Sequence, residues 1–156
     1  MIATNYKLPT TDSKPGFSLV ELLVVIGILA ILSAVSWSIV RSLQPSFKLT
    51  AVTRNLIVDL RSVQQSAVTE QIGYGVRFSL ASNSYQILKF GSSTQEILNK
   101  NLPSDVQLYQ VNGFTNQEIV FNVLGAVSEA GTVVIRNNQQ QTKTIEVRPS
   151  GYVKIQ

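Results

Sequence analysis

The stretch Lys14–Val40, KPGFSLVELLVVIGILAILSAVSWSIV, decides the first part of the fold. From Phe17 to Val40 it has 24 residues, of which 15 are Leu, Ile, Val or Phe, and Glu21 is the only charged one. As a helix this run is roughly 36 Å long, enough to cross a hydrocarbon core of about 30 Å. Because Glu21 lies near one end, its carboxylate costs less than at the centre, and we predict a transmembrane helix over residues 17–40.

Two ordinary interpretations of this helix remain open. One is a secretory signal peptide cleaved after Ala34-Val35-Ser36, although its apolar stretch is longer than usual and a charge interrupts its start. The other is a plain membrane anchor with an incidental glutamate. The flanking Lys and Arg residues do not orient such an anchor, because similar numbers lie on both sides.

A third interpretation comes from the residues at the junction, Lys14-Pro15-Gly16-Phe17-Ser18-Leu19-Val20-Glu21-Leu22. This pattern resembles the signal peptide of type IV prepilins and type II secretion pseudopilins. The resemblance implies that residues 1–16 are a cytoplasmic leader, removed by prepilin peptidase between Gly16 and Phe17. It also implies N-methylation of Phe17, and it matches Glu21 to the glutamate of the family.

The new ammonium group gives Glu21 a role. A buried carboxylate and a buried ammonium are each costly alone, and pairing compensates both. Residues 17 and 21 are one helical turn apart, so a pair within one helix is also open. The resemblance implies pairing with a neighbouring subunit, an assembly salt bridge that sets register. The expected partners are other pilin or pseudopilin subunits, prepilin peptidase, the inner-membrane assembly platform, and lipid before assembly.

Residues 41–70 predict an amphipathic continuation of the same helix, with a bend near Pro45. Its apolar positions recur at intervals of three and four residues and predict one buried face. They are Leu49, Val52, Leu56, Leu60, Val63 and Ala67. The polar residues Lys48, Arg54, Asp59, Arg61 and Gln65 lie mostly off this face.

Residues 71–156 change to the alternation of β-strands, with turn residues between short apolar segments. We predict strands over 74–80, 84–90, 94–98, 105–111, 118–121, 132–136, 143–148 and 152–155. A long helix followed by short strands predicts an α+β fold with a small antiparallel β domain. The order of strands and glycines resembles the GspH/FimT group of minor pilins and pseudopilins, which implies two packed sheets and a position near the filament tip.

The predicted function is structural: a minor pseudopilin or pilin subunit in the bacterial inner membrane, with its globular domain outside, that passes into a pilus or pseudopilus. The alternative is a DNA-binding minor pilin that uses basic C-terminal strands, with Arg148, Tyr152 and Lys154 as candidate contacts. The sequence has no His and no Cys, and it shows no catalytic or phosphate-binding motif. We therefore expect no enzymatic activity, no metal site and no cofactor.

Overall fold

The computed structural model describes residues 16–156, except for the side chains of residues 35, 37–39 and 42. The predicted leader therefore lies outside the described residues, apart from Gly16. The chain divides into two units after Val40, and the described residues of the first unit are 16–40, while the second comprises residues 41–156. One helix, α1 (Leu19–Glu70), contributes to both units.

In the first unit, α1 presents apolar side chains to solvent around its whole circumference. Leu19 is 77% exposed, Leu22 57% and Ile31 69%. A helix that is apolar all round is stable only when lipid or other helices cover it. Within the described part of the chain, no helix meets the length and hydropathy required of a membrane span.

In the second unit, α1 continues through Pro45 without a break. The turn that follows is held by tertiary packing, since Leu49 is buried. The hydroxyl of Thr50 also donates to the carbonyl of Ser46 at 3.0 Å. The helix thus tolerates the loss of the backbone N–H donor that proline lacks.

The predicted apolar face of α1 is confirmed. Leu49, Leu56, Leu60, Val63 and Ala67 are buried, and Val52 packs partly against them. The structure adds two residues to this face, Ile57 and the fully buried Thr53. The hydroxyl of Thr53 donates to the carbonyl of Leu49 at 2.7 Å, which removes the cost of burying a polar group.

Eight strands follow α1, close to the predicted segments. They are β1 (Gly73–Ser79), β2 (Ser84–Phe90), β3 (Thr94–Asn101), β4 (Val106–Asn112), β5 (Glu118–Phe121), β6 (Gly131–Asn137), β7 (Thr142–Val147) and β8 (Val153–Ile155). A short 3₁₀ turn, Thr115–Gln117, precedes β5. The predicted antiparallel α+β fold is confirmed.

The strands form two four-stranded antiparallel sheets. The first has the order β3-β2-β1-β5 and the second the order β4-β6-β7-β8. The chain therefore passes from the first sheet to the second at β4, returns at β5, and goes back to the second sheet for β6, β7 and β8.

One hydrophobic core joins α1 to both sheets. Val76, Ile119 and Phe121 of the first sheet, and Val133, Ile135 and Ile145 of the second, are buried to 1% exposure or less. Along β6 and β7, buried residues alternate with more exposed ones, which is the two-residue period that predicted these strands. β3 differs, since none of its eight residues is buried.

Candidate processing and assembly sites

The predicted cleavage point lies in backbone that is not helical. Residues 16–18 precede α1, and an added Cβ at Gly16 would meet no atom within 4 Å. The Phe17 side chain is 80% exposed. The Gly16–Phe17 peptide bond is thus open, whereas the bonds a few residues later are enclosed in the hydrogen-bonded helix.

Glu21 lies in the first turn of α1 and is exposed. A carboxylate in the first turn interacts favourably with the partial positive charge of the helix N-terminus. Among the described residues, none forms an ion pair with Glu21. The predicted pairing with the amino group of Phe17 remains a prediction, because that group exists only after cleavage.

The structure brings two of the three predicted DNA contacts together around the turn between β7 and β8. The Gly151 N–H donates to the Arg148 carbonyl at 2.8 Å, and the Arg148 guanidinium lies 5.9 Å from the centre of the Tyr152 ring. Gly151 has φ of +79°, and a Cβ there would overlap the Gly125 carbonyl oxygen. Tyr152 lies just before β8, not inside a strand that starts at residue 152 as predicted.

Arg148 already forms an ion pair with an acid, Glu146. Its Nε donates to Glu146 Oε1 at 2.9 Å, and Gln156 donates to the other oxygen of that carboxylate at 2.7 Å. The hydrogen bond from Arg148, followed by that from Gln156, holds the pKa of Glu146 below its ordinary value. Glu146 is also the register partner of Lys154 across β7 and β8. The positive charge expected of these strands is therefore partly neutralised.

Sequence reasoning did not identify two further cations that lie beside Lys154. Arg54 and Arg61 of α1 line one groove together with Tyr152, Lys154 and Ile155. From the sequence the two arginines were only solvent-facing residues of a helix. Their spacing of seven residues places them on one helix face, but nothing in the sequence indicates that β8 lies beside that face.

Asp59, Tyr85 and Lys100 form a further polar group, in a cavity that Val58 also lines. The Tyr85 hydroxyl donates to Asp59 Oδ2, and Lys100 Nζ contacts the same oxygen at 2.7 Å. Burial, and then the hydrogen bond to Asp59, raises the pKa of Tyr85. These residues line a cavity of about 460 Å³ between α1, β2, the end of β3 and the segment that follows it.

Comparisons with known proteins agree with the motif and the fold. Residues 13–37 match the family model described as the prokaryotic N-terminal methylation motif. No curated protein sequence matches the chain.

Solved structures with a similar fold include the minor pseudopilin EpsH of the type 2 secretion system of Vibrio cholerae. Its TM-score is 0.62 at 14% identity, over 70% of this chain and 96% of EpsH. The type IV minor pilin FimU of Pseudomonas aeruginosa matches with a TM-score of 0.58 at 10% identity, over 71% of this chain and 90% of FimU.

The fold and the motif define a class of protein. The helix followed by two four-stranded antiparallel sheets is a pilin-like fold, and the methylation motif lies at its N-terminus. The predicted resemblance to type IV prepilin-like minor pilins and pseudopilins is therefore confirmed.

Proposed function

We propose that this chain is a structural minor subunit of a type II secretion pseudopilus or a type IV pilus, without catalytic activity of its own. Prepilin peptidase cleaves it after Gly16 and methylates Phe17. The observation that carries the proposal is the methylation motif, whose cleavage point lies in exposed backbone directly before a helix with an acid, Glu21, in its first turn.

Before assembly, residues 17–40 hold the subunit in the inner membrane, with the leader in the cytoplasm and residues 41–156 outside. The exposed apolar side chains of the first unit support this location, because water is a poor solvent for such a surface. The assembly platform then transfers the helix from lipid to the filament core, where helices of other subunits cover it. A position near the filament tip is part of this proposal.

Glu21 gives this transfer a direction. In lipid its carboxylate lacks a partner, and an unpaired charge there costs several kcal/mol. The methylated amino group of Phe17 remains cationic and is similarly costly without an anion. Pairing Glu21 with the amino terminus of a neighbouring subunit compensates both charges, so assembly is favoured in one register.

The Glu21→Ala variant tests this role. We expect membrane insertion, cleavage and methylation as in the unchanged chain, but about tenfold less subunit in sheared filaments, since the pair is worth more than about 1.4 kcal/mol. N-terminal mass analysis of the membrane fraction and quantification of the filament fraction measure the two steps. Glu21→Asp, which keeps the charge on a shorter side chain, is the matched control.

Two results would contradict the proposal. Incorporation of Glu21→Ala at the level of the unchanged chain excludes a register role for the carboxylate. A membrane form that begins at Met1 or Trp37, and not at methylated Phe17, excludes prepilin processing. A deletion strain assayed in parallel for secreted enzymes, surface pili and DNA uptake then identifies the machine that the subunit serves.

A further inference from the structure

A groove runs between the outer face of α1 and the edge strand β8, within the second unit. Its volume is about 430 Å³. Arg54, Val58 and Arg61 line it from the helix, and Tyr152, Lys154 and Ile155 line it from the sheet side. Because β8 is the last strand of the order β4-β6-β7-β8, no further strand separates it from this groove.

The groove carries positive charge, and Glu146, the register partner of Lys154, partly offsets the charge of that lysine. Arg54, Arg61 and Lys154 take part in none of the ion pairs of the described residues. The acids nearest in sequence on the two walls are already paired, Asp59 with Lys100 and Glu146 with Arg148. An anionic occupant would therefore meet Arg54 and Arg61, which form no ion pair among the described residues, and the partly offset Lys154.

The floor of the groove is apolar. Val58 lies between the two arginines on the helix and is 63% exposed, and the Tyr152 side chain opposite is 54% exposed. An apolar centre with a charged rim is the usual anatomy of a protein–protein interface, and Tyr and Arg are common among the residues that contribute most to binding.

We propose that this groove docks an amphipathic segment of another protein subunit, with an apolar centre and a carboxylate on each side. Arg54 and Arg61 are two helical turns apart, roughly 10 Å along the axis. Carboxylates seven residues apart on a helix have about the same separation and lie on one helix face. This inference rests on the proposed function, because it names the chemistry of a neighbouring subunit in the same filament.

A protein segment suits the groove better than a nucleic acid does. A phosphate backbone would use the cations but would leave the exposed Val58 without an apolar partner. Val58 thus favours an occupant that brings its own apolar side chains, which peptides have and a phosphodiester backbone lacks.

Photocrosslinking of the full-length chain in its own bacterium tests the proposal. A benzophenone side chain is placed at residue 58, and the crosslinked peptide is sequenced by mass spectrometry. We expect a peptide of another pilin-type subunit with acidic residues on both sides of an apolar centre. Arg54→Glu with Arg61→Glu should lower the crosslink yield about tenfold, because like charges across an interface repel. Lysines in place of the acids of that peptide should restore the yield.

The matched control is Arg136→Glu with Lys143→Glu, which reverses two cations of β6 and β7 that do not line the groove. This control should leave the crosslink unchanged. Crosslinks to nucleic acid, to lipid or to a second copy of this chain would each overturn the proposal, as would a yield that the Arg54 and Arg61 reversals do not change. N-terminal mass analysis of the same samples separates the two proposals. A methylated, assembled subunit without the crosslink contradicts the docking proposal but not the proposed function. A chain that keeps its leader contradicts the proposed function.

Discussion

At the scale of the residue, Tyr85 shows how a polar group is accommodated beside the core. Its side chain is almost completely buried, and its ring lies 6.3 Å from that of Phe78. The hydroxyl donates to Asp59, which also accepts from Lys100. The carboxylate thus accepts hydrogen bonds from two donors. Burial and this contact raise the pKa of Tyr85, so the hydroxyl stays protonated to higher pH than in water.

Tyr85→Phe should lower the free energy of unfolding by about 1.5–3 kcal/mol at pH 7, the usual loss for a hydrogen bond to a charged group. Burial and Asp59 raise the pKa of Tyr85 above its unfolded value of about 10. The stabilisation is therefore complete below pH 10 and is lost as the pH rises towards the folded pKa. The difference in free energy of unfolding between Tyr85→Phe and the unchanged chain should therefore become smaller as the pH rises above 10.

Urea unfolding of residues 41–156 between pH 7 and pH 11 measures this effect. Tyr109→Phe is the control, because the Tyr109 side chain is 47% exposed, and it should change the stability by no more than about 0.5 kcal/mol. A constant difference between Tyr85→Phe and the unchanged chain across the whole pH range would contradict the linkage.

At the scale of the element, α1 has two faces with different tasks in the second unit. Leu60 is fully buried against the core, whereas Val58, two residues earlier, is 63% exposed in the groove. The same helix therefore stabilises the fold with one face and presents the proposed docking surface with the other.

Leu60→Ala should destabilise residues 41–156 by about 2–5 kcal/mol, since it removes buried methyl groups and leaves a cavity. Val58→Ala should change the stability by less than about 0.5 kcal/mol while weakening docking in the groove. Thermal unfolding compares the two variants directly. Similar losses of stability in both would mean that the exposed face also packs on the domain.

Much of this element pattern was predictable, because burial leaves a period in the sequence. The stripe from Leu49 to Ala67 gave the buried helix face, and alternation gave β2 and β5 with their observed limits. β3 was predicted to end at residue 98 but continues to Asn101. Its last residues are polar and none of them is buried, so no alternation marks them. Hydrogen bonding to β2 and the ion pair of Lys100 with Asp59 hold this end of the strand.

The candidate sites also differ in how far the sequence alone predicts them. Gly16, Phe17 and Glu21 form a local motif, and a short sequence is enough to suggest it. The groove combines Arg61 with Lys154, which are far apart in sequence. Their proximity depends on the strand order of the second sheet, and that order leaves no trace in local periodicity.

At the scale of the whole molecule, Asn83 joins the two sheets. It lies in the turn between β1 and β2 of the first sheet, with φ of +50°. Its side-chain amide donates to the carbonyl of Val106, and its side-chain oxygen accepts from the N–H of Leu108, at 2.8 and 2.9 Å. Both partners belong to β4 of the second sheet.

Asn83→Ala should destabilise residues 41–156 by about 2–3 kcal/mol, because it removes two hydrogen bonds and places alanine in a left-handed conformation. Asn83→Gly separates the two causes, since glycine adopts this conformation freely and loses only the hydrogen bonds. We expect the glycine variant to lie between alanine and asparagine in urea unfolding. Equal stability of all three chains would show that the sheets do not depend on this link.

The strand order also determines when the groove exists. The wall that carries Lys154 is β8, which pairs with β7 alone among the described strands; β7 pairs with β6, and β6 with β4. The opposite wall, α1, precedes all of these strands in the chain, so the groove exists only when segments distant in sequence have been brought together. A partner that binds there therefore selects subunits whose second sheet is complete, and docking becomes a form of quality control over which molecules enter the assembly.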